Sequence, residues 1–267
     1  KFHSMEKIIA RAREIWKGAD FSADFESISE QACASMSIGA SRGRLAIRLC
    51  GQSGSGKSTQ LLQTARKYCD VRGVRPAHIA VRNFVKYFPA LDSLGVPEEE
   101  VRESTNAFCL ILMLRTIERL ANAGADLTIE LAMLEPLFEE AIIRALADYD
   151  AELYGIACPR RVSDGFIAKR ERESGRMVKK ESADYFYRFY ESGFKAWIAA
   201  RPDMPCVLWS VLSREPAYDG TIGGGAERAL KKYLSLAGEP LPEKELSDAK
   251  LEFILRRAAR FQDGFPL

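Results

Sequence analysis

Nine consecutive residues carry the clearest chemistry in this chain: Gly51-Gln52-Ser53-Gly54-Ser55-Gly56-Lys57-Ser58-Thr59. They satisfy the pattern G-x-x-x-x-G-K-[ST] in full. Glycines at 51, 54 and 56 let the backbone curl so that successive N–H groups point inward at phosphate oxygens. Lys57 is then placed to reach the outer phosphates of a nucleoside triphosphate, and the Ser58 hydroxyl to hold Mg²⁺. Gly51, Ser53, Gly54, Ser55, Gly56, Lys57, Ser58 and Thr59 form the expected cradle for ATP.

Two further features could work with this loop. Glu130 follows the apolar run Leu127-Thr128-Ile129. A carboxylate at a strand's carboxyl end stands where open α/β sheets bind ligands, and can orient Mg²⁺ or accept a proton from a substrate hydroxyl. The segment from Arg160 to Lys180 is rich in Arg and Lys, including Arg170 and Arg176. Such groups neutralise charge on a phosphoryl group in transfer. The plain alternative for the segment is a solvated helix laced with Lys/Arg–Glu pairs.

Other chemistries find little support. Of the two histidines, His3 precedes Met5 and is set aside, so a Ser/His/Asp triad would have to use His78. The six cysteines, at 33, 50, 69, 109, 158 and 206, form no Cys-x-x-Cys pair. Scattered and mostly flanked by apolar residues, they read as buried thiols of a cytoplasmic protein. A secretion system that delivers the chain into another cell remains compatible with the sequence. The 267 residues carry a net charge of +2, with 47% hydrophobic and 28% charged residues. That is a globular composition with no bulk field for nucleic acid, and no stretch is apolar enough for a membrane helix.

The elements around the motif alternate. Strands are expected at Leu45–Cys50, His78–Val81, Leu127–Ile129, Glu152–Cys158 and Cys206–Val211. Helices are expected at Ser58–Tyr68, Glu98–Ala123, Leu137–Tyr149, Ser182–Ala200, Ala226–Leu236 and Asp248–Phe261. The period of the apolar positions supports this α/β reading. It predicts a parallel sheet covered by helices on both faces. Two amphipathic helices, Met5–Trp16 and Phe25–Ile38, precede the first strand. The small-residue link Ser37–Arg44 divides a helical segment, residues 5–40, from the domain spanning 41–267. The helical segment either packs on the core or occludes the nucleotide site.

In combination these motifs resemble the zeta-toxin family of P-loop kinases. The resemblance rests on the loop Gly51–Ser58 after a strand, and on His78-Ile79-Ala80-Val81-Arg82-Asn83-Phe84 leading to Phe88-Pro89. It also rests on Gly124-Ala125-Asp126-Leu127-Thr128-Ile129-Glu130, and on Pro159 with Arg170 eleven residues later. It implies a P-loop kinase fold with an N-terminal helical appendage and a basic lid. The implied activity is ATP- and Mg²⁺-dependent phosphorylation of a sugar hydroxyl of UDP-N-acetylglucosamine, or of NAD as in related effectors, with a protein antitoxin as partner. Lys57, Glu130, Arg170 and Arg176 match the family's catalytic positions. Two positions depart from its pattern. Leu131-Ala132 stand where Gly-Thr usually follows the glutamate, and Arg82 stands where the family carries an aspartate general base. A guanidinium cannot accept a proton at neutral pH. Three readings follow: another carboxylate, Asp92 or Glu130, serves as base; transfer proceeds with little base help; or the chain binds nucleotide without transferring phosphate, as a pseudokinase. Arg82 would then hold an anionic group of the ligand.

Overall fold

The computed structural model describes residues 7, 8, 10, 25–88, 98–174, 178, 180–212 and 216–236. The expected helix at Asp248–Phe261 lies outside them, and so do most of Met5–Trp16, Asp92 and Arg176.

Among the described residues, six strands form one sheet: β1 (Leu45–Cys50), β2 (Ala77–Ala80), β3 (Leu127–Glu130), β4 (Asp150–Ala157), β5 (Pro205–Ser210) and β6 (Pro216–Thr221). Their spatial order is β2-β3-β1-β4-β5-β6. The first five run parallel, as expected. The sixth, β6, is not among the five expected strands, and it pairs antiparallel with β5 at the edge of the otherwise parallel sheet. Its sequence, Pro-Ala-Tyr-Asp-Gly-Thr, alternates weakly and is half-exposed along its length, so it offers no strand signature.

The helices are α1 (Phe25–Ser37), α2 (Leu62–Val71), α3 (Glu98–Asn122), α4 (Pro136–Ala145), α5 (Arg160–Ser174), α6 (Lys180–Ala200) and α7 (Ala226–Leu234). They cover both faces, and the strand periodicity shows how. Ala46 and Cys50 of β1 join one core with α3, α4, α6 and α7, whereas Leu45, Ile47 and Leu49 join the other with α2. The same division runs through β5, with Cys206 and Leu208 on one side and Val207 and Trp209 on the other. Successive side chains on a strand point to opposite faces, so every residue of β1 is buried.

The link from α1 to β1 is tied down. Ser41 exchanges hydrogen bonds with Arg75, and the Asp126 carboxylate accepts from the Gly43 and Leu45 N–H groups at 3.0 and 2.7 Å. The helix itself lies on α3: Phe25 meets Phe108 edge-on, and Glu26 pairs with Arg115 and Arg119. Ala32 and Ser29 are fully buried there.

Candidate phosphate-binding site

β1 sits mid-sheet, between β3 and β4, and delivers the glycine-rich loop at its carboxyl end. The loop turns at three glycines with positive φ: Gly51 at 156°, Gly54 at 71° and Gly56 at 89°. Gly51 has no room for a side chain, since a Cβ there would lie 2.4 Å from the Ile156 methyl. The following helix opens as a single π turn over Lys57–Leu61 before continuing as α2, so the expected Ser58–Tyr68 helix begins in a wider winding than expected.

Within the loop, Lys57 Nζ donates to the Gln52 carbonyl at 2.8 Å. Desolvation pushes its pKa down to about 8, against the pull of the Glu130 charge. Arg170, on α5, is near enough for its charge to lower it as well. The Ser55 hydroxyl and both ends of the Gln52 amide are buried and have no hydrogen-bond partner among the described residues. Orphaned polar atoms under a curled loop suit an anionic ligand.

Glu130 closes β3 one strand away, with a side chain only 5% exposed. It gathers three partners. The Ser58 hydroxyl donates to Oε1, His78 Nε2 meets Oε2 at 3.1 Å, and Arg82 donates to Oε2 at 3.0 Å. Burial alone would raise the carboxyl's pKa. The hydrogen bonds from His78 and Ser58 and the Arg82 charge outweigh it and hold it at about 2. A carboxylate held that low is a weak proton acceptor, which argues against Glu130 as a general base. Ser58 Oγ and the Glu130 carboxylate make an all-oxygen donor pair of the kind Mg²⁺ prefers.

Arg82 lies just past β2 on a 3-10 helix, Val81–Tyr87, rather than ending the strand; β2 stops at Ala80. It faces Ser58 Oγ at 3.2 Å as well as Glu130. His78, to which the sequence assigns no part in phosphate or metal binding, joins the same cluster. β2 and β3 run in register with His78 beside Thr128, but that pairing is invisible without the sheet order.

The basic segment forms α5, and its first turns press on the loop. Ser163 Oγ donates to the Ser53 carbonyl, and a Cβ on Gly54 would meet the Ser163 carbonyl oxygen at 2.7 Å. Arg160 does not face the loop; it pairs with Asp164 and Asp184. Thr59 turns back on the helix, donating to the Gly56 carbonyl at 3.1 Å. The structure thus brings together Lys57, Ser58, Glu130 and Arg82, with Arg170 close by.

The loop following Glu130 is pinned from below, an arrangement no sequence motif flags. Arg48 of β1 donates to the Leu131 and Ala132 carbonyls and pairs with Glu139 at 2.9 Å. Glu139 in turn accepts from Leu134 N and Trp197 Nε1.

Comparison with known proteins follows the same lines. No curated protein sequence matches the chain. A solved structure from the chromosomal PezAT toxin–antitoxin system of Streptococcus pneumoniae is 18% identical, with a TM-score of 0.62 over 92% of this chain and 98% of that one. A complex of AvrRxo1-ORF1 and -ORF2 with ATP is 15% identical, with a TM-score of 0.45 over 98% of this chain and 83% of that one. At such identities the likeness to the first speaks for the fold, a mostly parallel P-loop kinase-like sheet between helices. The Zeta toxin family model matches residues 39–201, more than half of the chain, and the chain therefore belongs to the zeta toxin family.

Proposed function

We propose that the protein transfers the γ-phosphoryl group of ATP to a hydroxyl of a small metabolite, acting as a toxin or effector. The observation that carries this reading is the meeting of Ser58 and Glu130 beside Lys57 at the carboxyl edge of the sheet. Loop N–H groups and Lys57 would hold the phosphates, and Ser58 and Glu130 would hold Mg²⁺. The metal, when bound, supplies positive charge against the β- and γ-phosphate oxygens. Arg170 would add to the charge neutralisation, and Arg176, which lies outside the described residues, is given the same role by the family resemblance alone.

The acceptor class is a nucleotide-sugar such as UDP-N-acetylglucosamine, or NAD. Both are diphosphates, and a guanidinium at position 82 suits an acceptor that carries its own anionic group. Phosphoryl transfer has a loose transition state that leans on positioning and charge more than on a base. This favours transfer without a strong base over transfer that relies on Glu130. A protein antitoxin and cytoplasmic action belong to the same proposal, as does the division into a helical segment, 5–40, and a kinase domain, 41–267.

The test is incubation with labelled ATP and UDP-N-acetylglucosamine, NAD or a metabolite extract. Labelled product that disappears in Lys57→Ala is expected; folded protein that labels none of them sinks the proposal. A second reading, nucleotide binding without transfer, draws on Arg82 at the position of the family's base. Calorimetric ATP binding abolished by Lys57→Ala, with no transfer under any condition, would favour it.

A further inference from the structure

Arg82, Ser58 and Glu130 form a closed triangle at the end of β2 and β3. Arg82 donates to Ser58 Oγ at 3.2 Å through one nitrogen and to Glu130 Oε2 at 3.0 Å through another, while the Ser58 hydroxyl donates to Glu130 Oε1. The single Ser58 proton is committed to Glu130, so the oxygen's lone-pair side faces the guanidinium. That is the side a metal ion would need. The carboxylate that would balance a divalent cation is likewise already balanced by Arg82.

A guanidinium and Mg²⁺ would compete for these oxygens, most directly at the lone-pair side of Ser58 Oγ that Arg82 faces. Metal–oxygen distances of roughly 2.0–2.1 Å leave no room for a second cation in van der Waals contact. At such separations two cations also repel strongly. The backbone under Arg82 is held, because Asn83 Nδ2 donates to the His78 carbonyl and Phe88 N to the Val85 carbonyl. The side chain is not enclosed: it is 42% exposed, against 5% for Glu130. Departure of the guanidinium into solvent therefore needs only side-chain rotation.

We infer that Arg82 is a built-in stand-in for the divalent cation: it neutralises Ser58–Glu130 while the site is empty, and the metal that accompanies the nucleotide must expel it. The inference rests on the proposed reading only in placing a metal–nucleotide complex in the glycine-rich loop; it does not require phosphoryl transfer. Its consequence for that reading is an order of loading. Arg82 is released toward an anionic acceptor only after metal and nucleotide are in place.

The experiment is Mn²⁺ binding by electron paramagnetic resonance, with a non-hydrolysable ATP analogue present in excess. Arg82→Met keeps the apolar stem and removes the competing charge. It is expected to bind Mn²⁺ about tenfold more tightly than the unmodified protein, with Arg82→Lys between the two. In a Glu130→Gln background the Arg82→Met gain should vanish, since both cations lose their shared anchor. Equal or weaker Mn²⁺ binding by Arg82→Met, with Arg82→Lys also unchanged, overturns the inference, and so does a gain that survives Glu130→Gln. A tenfold gain in a protein that transfers no phosphate would sustain it and sink the transferase reading alone.

Discussion

Arg48 of β1 and Glu139 of α4 pair at 2.9 Å with both side chains out of water, 1% and 0% exposed. Apart from the neighbouring Leu49 carbonyl, which also accepts from Arg48, the pair's side-chain hydrogen bonds run to the turn after Glu130 and to Trp197 of α6. Gly193 of α6 is pressed so close to the Leu134 carbonyl that a Cβ would lie 2.1 Å away, which fixes the turn from the other side.

Removing Glu139 would leave the Arg48 charge buried and the Leu134 and Trp197 N–H groups without their acceptor. Glu139→Ala should therefore lose about 3–5 kcal/mol in urea unfolding. The double variant Arg48→Met/Glu139→Leu should lose much less than the sum of the single changes, because no lone charge remains. Additive losses would show that the pair is not coupled.

Nucleotide affinity should depend on pH through Lys57. Burial pushes its pKa down to about 8. Bound phosphate favours the ammonium form and raises that value. The lysine's contribution to binding is thus full below pH 8 and is lost as pH rises from there towards the pKa of the bound state. Calorimetric ATP affinity should be flat below this point and fall by up to about tenfold per pH unit above it. A flat profile on both sides would show that Lys57 does not meet the phosphates.

Gly54 should tolerate no side chain. Its φ of +71° already disfavours L-residues, and a Cβ would strike the Ser163 carbonyl at 2.7 Å and the Ile167 side chain at 2.9 Å. Gly54→Ala should push α5 away from the loop and cost about 1–2 kcal/mol from the left-handed backbone alone. ADP binding should be lost with the circular dichroism spectrum kept. Ser163→Ala, which removes only the hydrogen bond to Ser53, should weaken binding far less.

The thiols should divide by reactivity. Burial pushes Cys50 up to about 11, and Cys69, Cys109 and Cys158 to about 12. Cys33 is half-buried and its pKa is also raised. Thiolate is the reactive form. In native protein at neutral pH, Cys33 should react first with Ellman's reagent and the buried five only on unfolding.

Deleting residues 5–40 separates packing from occlusion. The face of α1 lies on α3, β2 and the 3-10 helix, with Phe25 on Phe108 and Ala32 in the main core. The truncated protein should melt at a lower temperature, with unchanged ADP affinity in the fraction that stays folded. Tighter ADP binding would favour occlusion.

The sequence revealed most where chemistry is encoded by close spacing. The glycine-rich loop needs only nine adjacent residues, and Glu130 is marked by the apolar run that ends at it. The five parallel strands are short apolar runs that a two-faced cover demands. What stayed hidden depends on distant partners. Glu130 and Arg82 are 48 residues apart, and Arg48 and Glu139 are 91 apart. An arginine inside Leu-Ala-Ile-Arg-Leu-Cys looks like an interruption until its carbonyl partners are known. β6 stayed hidden because a half-exposed outer strand with proline and glycine carries no apolar pattern.

The ends of the sheet bear on how copies of the chain behave together. Among the described residues, one outermost strand, β2, is four residues long; the other, β6, begins at Pro216, which has no N–H to offer, and opposes a bulge at Leu208/Trp209. Short borders, proline and irregular twist are the devices that stop sheets from extending into neighbouring molecules. The antiparallel turn-back that broke the parallel pattern thus also leaves the sheet a poor template for strand-by-strand aggregation at high concentration.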